Sequence, residues 1–198
     1  MPEESTVENL RDRIVHLEAE NKKWMRLAGI NRLTNLPNNL MLYQIVLPRE
    51  LRKGGPLAVS LACIMLCPDG LGEINQNHGR LIGDELIVNI GQFLKSKMVE
   101  KEQLFHVDGA NFVVLMLDAP ESSARRKATQ LKNEFKEHSF TGGKKTFKDL
   151  TFSAGINEVE SLVQEKEVVS YIDQIYQELS DRLYKAKEKN GNAIVGSR

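Results

Sequence analysis

The spacing of apolar residues changes along the chain and assigns its segments to helices or strands. Three- and four-residue spacings predict helices at 37–53, 80–98, 122–138 and 168–190, with a short helical turn before the second. Apolar or alternating runs predict strands at 57–67, 148–156 and 192–195 and a hairpin at 104–117. The hairpin turn, 108–112, is rich in Asp, Gly and Asn, which is typical of a tight turn. This order predicts an α/β fold, an α+β sandwich in which helices cover a central mixed sheet.

A heptad repeat fills the first 30 residues. Its a and d positions are Val7, Leu10, Ile14, Leu17, Asn21, Trp24 and Ala28. A single asparagine at an a position pairs with its twin in a parallel two-stranded coiled coil and disfavours other registers. We therefore expect residues 1–30 to form a dimerising coiled-coil helix and residues 31–198 to form a globular domain. The alternative is an amphipathic helix that folds back on its own domain, because three heptads are short.

Charge and composition narrow the class of protein. Lys and Arg together number 27, and so do Asp and Glu, which leaves no net charge to attract nucleic acid or an anionic membrane. No apolar run is long enough to span a bilayer, and the start MPEESTVENL lacks the basic and apolar regions of a signal peptide. We expect a cytoplasmic protein that binds neither nucleic acid nor a membrane.

Two cysteines, Cys63 and Cys67, lie four residues apart in the first predicted strand. The period of two places them on the same face. Neither CxxC spacing nor a nearby histidine pair supports a metal site, so we expect buried, reduced thiols. We expect no bound metal and no cofactor.

Five short motifs follow one another along the globular part. They are Leu33 to Asn38 (LTNLPN), Ile74-Asn75 with Gly79 and Gly83-Asp84, the turn Asp108 to Phe112 (DGANF), Thr151 to Gly155, and Leu183 to Lys187 (LYKAK). In this order they resemble the GGDEF family, the diguanylate cyclase domains that condense two GTP molecules into cyclic di-GMP. The resemblance covers about residues 31–195 and implies a nucleotidyl-cyclase-like fold.

The resemblance implies a degenerate catalytic site. The two carboxylates that hold Mg²⁺ in the family fall on Cys67 and Asn111, and the acidic residue suggested to activate the attacking hydroxyl falls on Ala110. The first glycine of the turn falls on Asp108, which is expected to add bulk and negative charge where phosphate would sit. We therefore expect residues 31–198 to be a degenerate GGDEF domain that is not an enzyme.

The positions that would bind the guanine base match the family better than the positions that would hold the metal. Asn75 and Asp84 match the family residues that recognise guanine, and Lys187 matches a phosphate-binding lysine. The alternative is structural: Asn75 caps a turn, Asp84 caps or charges the first turn of its helix, and Lys187 is a solvated helix residue. The family's feedback motif falls on 99–102 and lacks its arginine, so we expect cyclic di-GMP not to bind there.

Together these patterns predict a catalytically inactive GGDEF-like domain. It is expected to act as a dimeric signalling or scaffold protein by contacting itself through the N-terminal helix and an unidentified signalling protein. The alternative is a guanine-nucleotide sensor that binds GTP or GDP without turnover through Asn75, Asp84 and Lys187.

Overall fold

The computed structural model describes residues 2–52, 60–160 and 168–197. The helices are α1 (Pro2–Ala28), α2 (Leu47–Arg52), α3 (Leu71–His78), α4 (Arg80–Ser96), α5 (Glu121–Glu137) and α6 (Val168–Glu188). The strands are β1 (Ser60–Pro68), β2 (Glu102–Asp108), β3 (Asn111–Met116), β4 (Phe140–Gly142), β5 (Lys145–Phe147), β6 (Phe152–Glu160) and β7 (Ile194–Val195). A π-helical segment, Met41–Val46, runs directly into α2.

Five strands form the central sheet in the order β2-β3-β1-β6-β7. The pairs β2–β3, β3–β1 and β1–β6 are antiparallel, and β6–β7 is parallel. The expected mixed sheet is therefore confirmed. Its central strand, β1, is buried on both faces after its first residue, which explains the nearly continuous apolar run in the sequence.

Helices cover both faces of the sheet, each over its own apolar core. On one face, α4 and α5 bury side chains such as Ile90 and Leu131 against Ile64 and Val114. On the other face, the π-helical segment, α2 and α6 pack against the alternate side chains of the same strands. Cys63 and Cys67 both belong to this second core as free thiols, as the period of two predicts.

The N-terminal segment is a single helix, and its heptad side chains face solvent. Val7, Leu10, Ile14, Leu17 and Trp24 are between 48% and 63% exposed. In the single chain this stripe is not buried against the globular domain, and dimerisation through it stays a prediction. Within the described residues, none of the helices is both long and apolar enough to cross a membrane.

Three local features differ from the sequence-based expectations. A small antiparallel hairpin, β4–β5, occupies 140–147, a segment for which the apolar spacing predicted neither a helix nor a strand. The strand expected at 148–156 begins instead at Phe152. The helix expected over 37–53 is not regular: before Pro48 it contains a π-helical turn, closed by the Leu47 N–H donating to the Leu42 carbonyl. Proline has no N–H, so regular bonding is already interrupted there. Residues 53–59, at the start of the first predicted strand, lie outside the described residues.

Candidate functional site

A cleft of about 460 Å³ opens where β1 ends, between the loop that follows β1, the hairpin turn and the end of α6. The side chains and backbone that line it include Cys67, Asp69, Gly72, Ala110, Lys187 and Gly191. Among these residues, Cys67, Ala110 and Lys187 are positions at which the family resemblance places nucleotide chemistry. The fold therefore brings together segments that the sequence singled out, although Cys67 and Lys187 are 120 residues apart along the chain.

The sheet register explains how the two predicted metal positions meet. Leu66 pairs with Phe112 across β1 and β3, so the adjacent positions, Cys67 and Asn111, lie side by side on the two strands. Lys187 reaches over from α6, and its ammonium donates to Cys67 Sγ at 3.1 Å. Burial raises the pKa of the Cys67 thiol, and Lys187 only partly offsets this. The thiol therefore stays protonated at neutral pH.

The donor groups at this place do not fit Mg²⁺, the ion that the resemblance implies. Mg²⁺ prefers carboxylate and other oxygen ligands, whereas Cys67 offers a protonated thiol and Asn111 a carboxamide. The Asn111 Nδ2 donates to Asp108 Oδ1 at 2.5 Å, which engages that carboxamide within the turn. Among the described residues, no three His, Cys, Asp or Glu side chains gather closely enough to hold a metal ion.

Asp108 is the exposed last residue of β2. That it occupies the phosphate position stays a prediction; Asp108 is not among the described residues that line the cleft. It lines a separate pocket together with residues of α6. The register between β2 and β3 is irregular between His106 and Asp108, and a bulge affects the direction of the side chains that follow it.

Asp69 is a residue whose role the sequence did not predict. Its carboxylate accepts from Thr151 Oγ1 at 2.7 Å, from Ser153 Oγ at 2.8 Å and from the Asn192 N–H at 2.8 Å. It thereby ties the loop after β1 to β6 and to the segment before β7. Gly191 has a left-handed φ of +72°, and a Cβ there would lie 3.0 Å from the Asp69 side chain. Glycine suits both constraints.

The two residues predicted to recognise guanine, Asn75 and Asp84, lie on α3 and α4. The Asn75 carboxamide packs over Gly83, where a Cβ would lie only 1.8 Å from Asn75 Oδ1. That oxygen is buried and has no hydrogen-bond partner among the described residues. The Asp84 carboxylate lies 3.9 Å from the Arg80 Nε. The N-cap of α4 is Gly79, so Asp84 does not serve as the cap that the structural alternative proposed.

At 99–102, where the family has its feedback motif, the acidic side chain is already paired. Glu102 Oε2 lies 2.6 Å from Lys127 Nζ, and both side chains are less than a tenth exposed. The same oxygen accepts from the Val99 N–H at 3.1 Å. Val99 itself is 63% exposed. The carboxylate here therefore acts within the fold.

The buried histidine His106 connects two segments of the chain. One is the turn Asp108 to Phe112 (DGANF), called the signature turn from here on, and the other is the segment that follows α1. His106 is 1% exposed; its Nδ1 lies 2.9 Å from Thr34 Oγ1 and its Nε2 lies 2.9 Å from the Gly109 carbonyl. A neutral ring with its proton on Nε2 satisfies both contacts, since Thr34 can then donate to Nδ1. These contacts give His106 a structural role with partners that are distant along the chain.

Comparison with known proteins agrees with this geometry. The family model "Diguanylate cyclase, GGDEF domain" matches residues 28–193. The diguanylate cyclase TpbB of Pseudomonas aeruginosa is 30% identical over 100 residues, which cover 50% of this chain and 23% of that protein. The chain thus spans about a quarter of the length of this curated relative.

Two solved structures share the fold. The diguanylate cyclase SiaD of Pseudomonas aeruginosa, in complex with its activator SiaC, superposes with a TM-score of 0.73 at 20% identity, covering 98% of this chain and 71% of that one. The coiled coil and GGDEF domain of DgcB from Caulobacter crescentus, in complex with c-di-GMP, gives a TM-score of 0.72 at 17% identity over 100% of both chains.

The family model matches residues 28–193, which is most of the chain. This match shows that the chain belongs to the GGDEF family of diguanylate cyclase domains. Our expectation that it is not an enzyme is contradicted, because the family model and the curated relatives carry the name diguanylate cyclase. That expectation inferred the loss of activity from a few side chains alone, whereas the family fold and the cleft with Lys187 are present.

Proposed function

We propose that this chain is a cytoplasmic signalling protein of the cyclic di-GMP system that works as a parallel homodimer through residues 1–30. Its GGDEF domain, residues 31–198, transmits the signal by contacting another protein. The observation that carries the proposal is the exposed heptad stripe on α1.

The exposed stripe has the composition of a dimer interface. Five apolar side chains at a and d positions are about half exposed in the single chain, and their burial against a second helix removes apolar surface from water. Asn21 at an a position is exposed in the same stripe and fixes a parallel, in-register pair. Two further facts are consistent with this proposal: DgcB superposes together with a coiled coil, and SiaD binds a protein activator.

Cysteine cross-linking tests the parallel register. In the variant Asn21→Cys, the two new thiols face each other across the dimer, so mild oxidation is expected to give a covalent dimer on a non-reducing gel. Val15→Cys is the matched control, since Val15 is 65% exposed but lies off the stripe. Cys63 and Cys67 are buried and stay out of the reaction. Equal cross-linking of both variants, or of neither, would refute the proposed dimer.

The second candidate function is a guanine-nucleotide sensor, and it rests on the orphaned Asn75 oxygen. An unpaired buried oxygen costs about 1–3 kcal/mol, and a donor on a bound base would remove this cost. The Asp84 carboxylate can accept from both the ring N–H and the adjacent amino group of guanine, whereas adenine offers an amino group beside a ring nitrogen that carries no hydrogen. Lys187 lines the cleft and offers an ammonium to phosphate.

Titration calorimetry with GTP, GDP and ATP tests the sensor. We expect guanine nucleotides to bind more tightly than ATP, and Lys187→Gln to weaken GTP binding about tenfold. Lys185→Gln is the matched control, because Lys185 is an exposed lysine of the same helix that is not among the described residues lining the cleft. Absence of heat with GTP and GDP, or equal affinity for ATP, would exclude the sensor.

A further inference from the structure

A second, smaller pocket lies beside the signature turn on the face of the sheet that α6 covers. Its volume is about 190 Å³, and its walls come from the π-helical segment, the end of β2 and the first half of α6. Tyr43, Tyr176, Asp108 and Asp173 supply the side chains that matter here. Among the described residues, the pocket shares none with the cleft.

The Tyr43 hydroxyl is the first indication that the pocket binds a ligand. It is buried and makes no hydrogen bond with any described residue. Leaving such a group unpaired is unfavourable, and a ligand with an N–H donor would supply the bond. Burial raises the pKa of Tyr43 well above its ordinary value, and Asp108 acts in the same direction. The hydroxyl therefore keeps its proton and its oxygen is available as an acceptor.

The other side chains that line the pocket favour a positively charged ligand. Asp108 and Asp173 are both exposed acids at the pocket, and no lysine or arginine is among the described residues that line it. The rings of Tyr43 and Tyr176 meet edge to face, with centroids 5.5 Å apart. Carboxylates beside aromatic rings attract a cation, and a planar guanidinium can both stack on a ring and bond a carboxylate through two N–H groups.

The volume of the pocket suits a single side chain better than a complete small molecule. Small-molecule sites usually enclose about 300–1,000 Å³, which is more than this pocket offers. We propose that it receives a single arginine side chain from a partner protein, with the guanidinium between Asp108 and Asp173 and one N–H donated to the Tyr43 oxygen. This inference rests on the proposed signalling through protein contact and names the chemistry of that contact.

A peptide titration followed by ¹⁵N NMR tests the proposal on the whole chain. The probe is arginine capped at both ends, so that only the side chain is charged. Capped citrulline has nearly the same shape without the charge, and capped lysine has the charge without the plane. We expect the arginine probe to shift the amide signals of Tyr43 and Asp173, and citrulline to bind about tenfold more weakly. Citrulline or lysine binding as tightly as arginine would overturn the proposal.

Two variants separate binding from folding. Asp108→Asn with Asp173→Asn is expected to weaken arginine binding about tenfold, while Asp181→Asn on the same helix, whose carboxylate accepts from Gln177 at 3.1 Å, leaves it unchanged. Tyr43→Phe removes an unpaired hydroxyl, so we expect a higher melting temperature together with weaker arginine binding.

Unchanged binding in both the double variant and Tyr43→Phe would refute the pocket assignment. The proposed homodimer is tested separately, because it fails if Asn21→Cys gives no covalent dimer.

Discussion

Replacement of His106 by phenylalanine tests how firmly the signature turn is tied to the segment after α1. The ring stacks on Phe112 with centroids 4.5 Å apart, and a phenylalanine can keep this stack. It loses the two hydrogen bonds, to Thr34 Oγ1 and to the Gly109 carbonyl. At about 1 kcal/mol for each bond, His106→Phe is expected to lower the free energy of unfolding by about 2 kcal/mol.

The same variant has a distinctive pH dependence. Burial lowers the pKa of His106 below its ordinary value of 6.5, although its bond to the Gly109 carbonyl and the nearby Asp108 partly oppose this. Below pH 6.5 the unfolded chain therefore takes up the proton first. The stability associated with this group is complete above pH 6.5 and falls as the pH drops from there through the lower pKa of the folded state. His106→Phe removes this part of the pH dependence.

Urea unfolding followed by circular dichroism, at pH values from 7.5 down to 5, measures both effects. His16→Gln is the control, because His16 is a well-exposed histidine on α1 that takes no part in the contacts of His106. A His106→Phe variant within about 0.5 kcal/mol of the parent at pH 7.5, or one that retains the parent's pH dependence, would refute the reasoning.

Three further predictions follow from the contacts described. Asn21→Leu removes the amide that the proposed dimer would bury and so relaxes its stoichiometry. Light scattering is therefore expected to show assemblies larger than two chains; an unchanged mass contradicts this. Cys67→Asp with Asn111→Glu places two carboxylates side by side, and Mg²⁺ is expected to tighten GTP binding about tenfold or more in titrations against EDTA; no effect of Mg²⁺ contradicts it. Lys127→Met leaves Glu102 buried and unpaired and is expected to cost about 3–5 kcal/mol in urea unfolding, most of it recovered by adding Glu102→Leu; equal losses in both variants contradict it.

The sequence predicted features that depend on neighbours along the chain. The run that became β1 is apolar at successive positions because both faces of the sheet are covered, and this pattern is visible without a structure. The hairpin was equally clear, because two apolar runs flank a turn of Asp, Gly and Asn. The strands β4 and β5 have three residues each, which is too short for alternation to show.

The site was predicted less completely, because its decisive contacts join distant parts of the chain. The three partners of Asp69 are 82 to 123 residues away, and His106 meets Thr34 across 72 residues. No local spacing reveals such pairs. Asp108 shows a related difficulty: alignment with a family motif gives its position in the turn, but the direction of its carboxylate depends on the irregular register before it.

We propose that α1 holds two chains together through its exposed stripe. Light scattering during size-exclusion chromatography measures this on the parent chain, on Leu10→Glu with Leu17→Glu, and on the control Val15→Glu. We expect twice the mass of one chain for the parent and the control, and the mass of one chain for the double variant. A parent of single-chain mass, or a double variant that remains a dimer, would contradict it.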